Sequence, residues 1–267
     1  MSGLAYDAVI DPGRRSEIER GIRDIEAANQ VKILFAIESG SRAWGFPSPD
    51  SDYDVRFVYA HTADSYLSVF DRRDVIELPI EGDLDINGWD IRKALALLLK
   101  PNPVLLEWLS SPIRYKWNES ACQPLLDFAH AVVAPGECVP HYYHLARRQW
   151  QRNIEGETAV NLKKYFYVLR PALAIRWVRL HPGLLPPMNF QELVSRVDID
   201  PGLQAEISDL LQAKARASEV GSGKRIAALD DLIEAELAWG EENSGQKHVT
   251  SAAERAMADE LFRKLVK

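Results

Sequence analysis

Apolar residues at helical spacing mark the beginning of the chain. Ile18, Ile22 and Ile25 recur among charged residues, and this pattern predicts an amphipathic helix over residues 16–29. The pattern then changes, because residues 31–37 form a short apolar and β-branched run. Such a run is typical of a buried strand.

A second strand is predicted at residues 52–59, where β-branched and aromatic residues alternate with polar ones. It is expected to pair with the first strand as in a hairpin, after a loop that contains at most a short helix after Ser41. Further strands are predicted at 75–79 and 84–86, with Asn87-Gly88 as a turn. Helices are predicted at 91–100, with Asp90 as N-cap, and in the stretch after Pro103.

Strand signals vanish beyond about Trp117, and helical patterns take over. Helices are expected at 120–134, 137–155, 158–181, 190–197, 201–239 and 252–265. Gly240 is predicted to stop the long helix that precedes it. The expected fold class is therefore α+β, with a small α/β domain over residues 1–116 and an all-helical domain over 117–267.

Charge and composition limit the functional classes. The net charge is −7, so bulk electrostatics do not favour nucleic acid, and RNA would need a local basic patch. No run of 18 apolar residues and no apolar signal core occur, so a soluble cytoplasmic protein is expected. The two cysteines, Cys122 and Cys138, are interpreted as small buried residues rather than a disulfide.

Candidate chemistry is concentrated between the first two strands. Gly40-Ser41 follows the first strand, and a glycine there lets the backbone approach a ligand such as a phosphate group. Asp52 and Asp54 lie two residues apart, so a strand presents both carboxylates on one face. Two such carboxylates repel each other unless a cation lies between them, and oxygen ligands favour Mg²⁺ or Mn²⁺.

These residues resemble the signature of the polymerase-β-like nucleotidyltransferase superfamily. Its members carry a strand, a Gly-Ser or Gly-Gly turn and then Asp-x-Asp on the next strand; here ten residues separate Ser41 from Asp52. The longer match is similar to predicted nucleotidyltransferases of the YcgL type, one branch of which is associated with RNA repair ligases. The resemblance covers about two thirds of the chain and includes the segments Asp85–Lys93, Asn102–Glu107 and, more weakly, Lys164–Pro171.

The resemblance implies a metal centre and a substrate. Two Mg²⁺ (or Mn²⁺) ions would be held by Asp52, Asp54 and a third carboxylate on a following strand, with a nucleoside triphosphate as substrate. Asp85 and Asp90 are both candidates for the third ligand. The apolar-acid-apolar pattern around Asp85 favours it, whereas helix capping explains Asp90.

Several further residues are candidate nucleotide ligands: Gly40, Ser41, Arg42, Lys93, Lys164 and Arg170. Ordinary surface roles are the alternative for the basic residues. Arg56 is either a phosphate ligand or a partner of nearby aspartates. Trp44 and Phe46 either stack on a base or anchor their loop in a core.

The acceptor is the most open part of the hypothesis. The RNA-repair branch implies transfer of a nucleoside monophosphate to an RNA 3′ end, with release of pyrophosphate. A protein or a small molecule is an alternative acceptor. A catalytically silent nucleotide-binding module is the alternative of a different class. The sequence leaves the base preference and the oligomeric state open.

Overall fold

The computed structural model describes residues 10–216, 221–245 and 248–267. Within these ranges the chain forms seven strands: β1 (Lys32–Glu38), β2 (Tyr53–Ala60), β3 (Val75–Glu77), β4 (Leu84–Asp90), β5 (Arg114–Trp117), β6 (Ala159–Asn161) and β7 (Ser222–Lys224).

The same ranges contain twelve α-helices: α1 (Pro12–Asn29), α2 (Gly40–Trp44), α3 (Ala63–Tyr66), α4 (Ile91–Leu98), α5 (Pro103–Leu109), α6 (Glu119–Val132), α7 (Val139–Asn153), α8 (Lys163–Leu180), α9 (Phe190–Arg196), α10 (Pro201–Arg216), α11 (Ala227–Asn243) and α12 (Ala252–Leu265). A 3₁₀ turn at Pro135–Cys138 precedes α7. The α+β class is confirmed.

A five-stranded sheet is the framework of the first half of the chain, with the order β3-β4-β2-β1-β5. β1 pairs antiparallel with β2, as predicted, and β4 pairs parallel with β2. β5, which was not predicted, pairs antiparallel with β1. The parallel pair matters most for the site, because it sets residues of β2 directly beside residues of β4.

The predicted turn at Asn87-Gly88 is wrong, since both residues lie within β4. Gly88 is the register partner of Phe57 on β2. A Cβ at Gly88 would lie 2.5 Å from Cγ of Phe57, so the glycine makes room for that ring. A close approach between neighbouring strands, and not a reversal of the chain, explains this glycine.

Contacts divide the described residues into two compact units. The sheet unit contains residues 10–43, 52–133 and 248–267. The division predicted at residue 117 assigns α6 and α12 to the helical part, but both pack with this sheet unit. α12 buries Ala258 and Leu261 and contacts α4 and α6, and Phe262 meets the ring of Tyr66.

The helical unit contains residues 44–51 and the described part of 134–247. Its core surrounds α8, whose buried residues pack against α7, α9 and α11. A two-stranded ribbon, β6 with β7, is also present, so the expectation of helices alone is wrong in this detail. Strands of three residues are too short to give a periodic signal.

The predicted helix over 201–239 is two helices, α10 and α11, with β7 between them. Residues 217–220 of that prediction lie outside the described residues. Gly221 has a φ of 76° and therefore favours a break in the helix. Gly240 does not end a helix, because α11 continues to Asn243. A Cβ at Gly240 would lie 3.2 Å from side-chain atoms of both Tyr143 and Ile175, so the glycine allows these two side chains to pack closely against α11.

Candidate active site

The turn after β1 is held against β2 by a glycine. Gly40 has a φ of 61°, a backbone conformation that residues other than glycine rarely adopt. A Cβ on Gly40 would overlap Oδ2 of Asp54 and lie 2.7 Å from its Cγ. Ser39 N–H donates to the carbonyl of Asp54 over 2.8 Å. The turn and the carboxylate are thus in direct contact.

Asp52 and Asp54 lie where the turn meets β2. Asp54 is the second residue of β2, and the exposed Asp52 immediately precedes the strand. Burial raises the pKa of Asp54; Arg56 lowers it, and the nearby Asp85 and Asp52 raise it. The environment of Asp54 therefore favours a positive charge beside it.

Asp85 is the register partner of Asp54 in the parallel pair β2 and β4. Neighbouring strands lie about 4.8 Å apart, so the two side chains are adjacent on the sheet. Asp90, the other candidate third carboxylate, lies at the far end of β4. It caps α4 by accepting from Arg92 N–H over 2.7 Å and also accepts from Tyr66 Oη over 2.9 Å.

Arg56 joins the two carboxylates. Its Nη2 donates to Oδ2 of Asp85 over 2.8 Å and to Oδ1 of Asp54 over 3.2 Å. Its Nη1 donates to the carbonyls of Val55 and Asp85, both over 3.0 Å. Arg56 was predicted to be either a phosphate ligand or a partner of nearby aspartates, and in the structure it is a partner of Asp54 and Asp85.

The carboxylate oxygens of this cluster meet part of what a divalent cation needs. Oxygens of Asp54 and Asp85 already converge on one positive group, and oxygen ligands suit Mg²⁺. In the described part of the chain, no three His, Cys, Asp or Glu side chains form a group that could hold a metal ion. The guanidinium of Arg56 occupies the space between the two carboxylates.

Glu38 lies beneath this cluster, and no role was predicted for it. It is completely buried; its Oε1 accepts from Asp54 N–H over 2.9 Å and its Oε2 from Tyr115 Oη over 2.6 Å. Burial raises the pKa of Glu38 to about 7, against the opposing effect of these hydrogen bonds. A carboxylate at the end of an apolar strand, just before Gly40, is the signal that could have revealed it.

Arg42 lies at the other side of the turn. Its Nε donates to the carbonyl of Asp52 over 3.1 Å, and its guanidinium carbon stacks 3.9 Å from the centre of the Tyr53 ring. Ser41 is buried beside it. The structure thus brings together Gly40, Ser41, Arg42, Asp52, Asp54 and Asp85, all within the sheet unit.

Lys93 is not part of this group. It lies on α4, beyond the opposite end of β4 from Asp85, and pairs with Asp74 over 3.1 Å. The strand rise of about 3.3 Å per residue places those two ends of β4 well apart.

Lys164 and Arg170 belong to the helical unit. Lys164 is exposed on α8, 5.4 Å from the centre of the Tyr167 ring. Arg170 is buried, donates to the carbonyl of Met188 and lies 4.7 Å from the centre of the Trp44 ring.

The loop of residues 44–51 is anchored in the helical core. Phe46 stacks on Phe166 with 5.3 Å between ring centres. The buried Lys214 donates to the carbonyl of Phe46, and Gln191 donates to that of Gly45. Trp44 and Phe46 were predicted either to stack on a base or to anchor their loop, and in the structure they anchor the loop in the helical core. Neither Lys214 nor Gln191 was predicted, since nothing local connects them with a loop about 150 residues earlier.

Residues 15–264 match the RlaP family, described as the RNA repair pathway DNA polymerase beta family. The chain belongs to the RlaP family. The chain is therefore a member of the polymerase-β-like nucleotidyltransferases, and the resemblance seen in the sequence is confirmed.

Two individual proteins are similar to this RlaP family member. It is 46% identical to the uncharacterized protein YcgL of Bacillus subtilis (strain 168) over 216 residues, which are 81% of this chain and 82% of that protein. A solved nucleotidyltransferase-like protein from Exiguobacterium sibiricum 255-15 matches 85% of this chain and 77% of its own, with 12% identity and a TM-score of 0.33.

None of the helices in the described residues has both the length and the apolar character needed to cross a membrane.

Proposed function

We propose that this protein is a metal-dependent nucleotidyltransferase that moves a nucleoside monophosphate from a nucleoside triphosphate to an acceptor hydroxyl, with an RNA 3′ end as the acceptor. One observation carries the proposal: Asp54 and Asp85 are register partners that share a cation, directly beside the Gly40 turn. Family membership supports the same reaction class.

The turn is the proposed phosphate-binding element. Gly40 lacks a Cβ, so the backbone N–H groups of the turn are accessible to phosphate oxygens. Ser41 adds a hydroxyl donor, and Arg42 adds a positive charge close to the same carboxylates. Catalysis in this reaction class is mainly positioning and neutralisation of charge, which these groups supply.

The three aspartates are the proposed ligands of two Mg²⁺ or Mn²⁺ ions. Asp52, Asp54 and Asp85 offer only oxygen atoms, the ligands these ions prefer. Ions bound there would stabilise the charge on the phosphates and lower the pKa of the acceptor hydroxyl. Glu38 supports this set by fixing the backbone of Asp54 through its N–H.

Among the basic residues, we keep Lys164 as a nucleotide ligand, because it is exposed on α8. Arg170 supports the loop through Trp44, and Lys93 supports α4 through Asp74. We therefore assign the latter two to structural support.

The acceptor assignment rests on the family, whose description names RNA repair. The acidic net charge of −7 favours a short contact with an RNA end over an extended RNA interface. A protein or small-molecule acceptor keeps the same donor chemistry.

An acceptor screen tests the proposal. The protein is incubated with each labelled nucleoside triphosphate, Mg²⁺ or Mn²⁺, and a short RNA, alongside the variant Asp52→Ala/Asp54→Ala. Stepwise extension of the RNA that the variant has lost is the expected result. Label on protein without RNA extension would replace RNA by a protein acceptor, and nucleotide binding without turnover on any acceptor would contradict transfer.

A further inference from the structure

Arg56 occupies a position that a metal ion would need. Its Nη2 bridges Asp54 and Asp85, over 3.2 and 2.8 Å. Both carboxylates are proposed metal ligands, so the guanidinium and a dication compete for the same oxygens. The side chain of Arg56 is only 16% exposed, and water screens this interaction less than it would an interaction on the surface.

The position of Arg56 is also well defined. Two carbonyls, those of Val55 and Asp85, accept from its Nη1 over 3.0 Å. All the bonds of this fork are made within β2 and β4. Because a guanidinium does not lose its charge in proteins, it cannot give way to a metal by deprotonation. It has to move.

The two carboxylates explain why such a cation is present. They are register partners on parallel strands, and like charges at that spacing repel each other. Arg56 relieves this repulsion in the protein without metal. A dication relieves it as well, so each cation makes the other unnecessary.

We propose that Arg56 is a resident cation that holds Asp54 and Asp85 in the metal-free protein and weakens the binding of metal ions alone. Displacement frees a guanidinium beside the phosphate turn, where the triphosphate brings the negative charge that such a fork binds well. Metal and nucleotide therefore bind better together than either does alone. This inference rests on the proposed function, because it takes Asp54 and Asp85 as metal ligands.

Binding of Mn²⁺ alone tests the inference without any catalytic readout. Free Mn²⁺ is measured by its electron paramagnetic resonance signal during titration of the whole 267-residue chain. Arg56→Gln and Arg56→Met both remove the charge, and two neutral variants guard against one that fails to fold. Arg56→Lys keeps a charge on a similar stem and is the matched control.

We expect both neutral variants to bind Mn²⁺ at least tenfold more tightly than the unmodified protein, and Arg56→Lys to bind within about threefold of it. In EDTA the neutral variants should melt at lower temperature than the unmodified protein, and Mn²⁺ should raise their melting temperature more. Addition of a non-hydrolysable nucleoside triphosphate should tighten Mn²⁺ binding in the unmodified protein more than in the neutral variants.

Two results would overturn the inference, and they differ in what else they remove. If Mn²⁺ binding disappears in Asp54→Asn but is equal or weaker in the neutral Arg56 variants, Arg56 organises the ligands and does not compete, while the proposed metal site stands. If no form binds Mn²⁺ in a way that depends on Asp54, with or without nucleotide, the inference and the proposed metal site fall together.

Discussion

Substitution of Gly40 by alanine isolates the contact between the turn and Asp54. A Cβ at this position would lie 2.7 Å from Cγ of Asp54, whereas carbon atoms in contact are usually about 3.5–4.0 Å apart. The carboxylate must therefore shift by roughly 1 Å. A misplacement of about 1 Å can cost on the order of 100-fold in rate, and we expect a loss of at least that size in nucleotidyl transfer.

Gly82 is the matched control. It has a φ of 64°, close to the 61° of Gly40, and no atom beyond Gly82 itself and its two chain neighbours lies within 4 Å of its Cβ position. Alanine at either site pays for the left-handed backbone, about 1–2 kcal/mol, and regains part of that cost by restricting the unfolded chain. Gly82→Ala should thus lose about 1 kcal/mol or less of unfolding free energy and keep its activity.

The assay compares the two variants in parallel. Urea unfolding gives the change in stability, and initial rates of transfer at saturating nucleotide give the change in activity. The difference between the variants reports the contact with Asp54, since the backbone cost is common to both. Activity of Gly40→Ala within threefold of that of Gly82→Ala would refute the claim that this turn positions the carboxylate.

Three further predictions concern a buried carboxylate, a buried lysine and a close contact between two strands. Folding raises the pKa of Glu38 from 4.5 to about 7. The folded protein therefore holds more protons between those values, and its unfolding free energy should fall as the pH rises from about 4.5 to 7, by at most about 1.4 kcal/mol per pH unit. Urea titrations of Glu38→Gln should lack this fall. Burial lowers the pKa of Lys214 from 10.5 to about 8, so the unfolded chain holds more protons than the folded protein between those values. The unfolding free energy should therefore rise as the pH rises from about 8 to 10.5. Lys214→Met should lack that rise in the same titrations. Gly88→Ala places a Cβ 2.5 Å from Cγ of Phe57 and should lose about 1–3 kcal/mol in urea unfolding, with partial recovery in the double variant with Phe57→Leu.

Each of these predictions has a contradicting outcome. A stability difference between Glu38→Gln and the unmodified protein that stays constant from pH 4.5 to 7 would mean that Glu38 ionises normally. If the stability difference between Lys214→Met and the unmodified protein stays constant from pH 8 to 10.5, burial does not lower the pKa of Lys214. Strictly additive effects of Gly88→Ala and Phe57→Leu would show that the two residues do not compete for space.

Features that depend on neighbouring residues could be predicted from the sequence. Apolar spacing revealed α1 and β1, the alternating pattern revealed β2, and the motif around Gly40 identified the turn and the paired aspartates. All of these follow from residues within about twenty positions of each other, where periodicity is informative.

Features that depend on strand pairing could not be predicted. The clamp of Arg56 on Asp85 exists because β4 lies parallel to β2 with Asp54 opposite Asp85, and no local pattern specifies that register. Gly88 looked like a turn residue for the same reason, since its role is to accommodate a ring on the next strand. The contact of Lys214 with Phe46 joins positions that are 168 residues apart.

The most direct test of the central claim compares two aspartates on either side of Leu84. Asp85 is the register partner of Asp54 and the partner of Arg56, whereas Asp83 pairs with Arg14 over 2.6 Å. The measurement is the rate of nucleoside monophosphate transfer by Asp85→Asn and Asp83→Asn, on the acceptor that the screen identifies. We predict that Asp85→Asn loses at least about 100-fold and that Asp83→Asn stays within threefold of the unmodified protein. Full activity of Asp85→Asn, or equal losses in both variants, would contradict the assignment of this cluster as the active site.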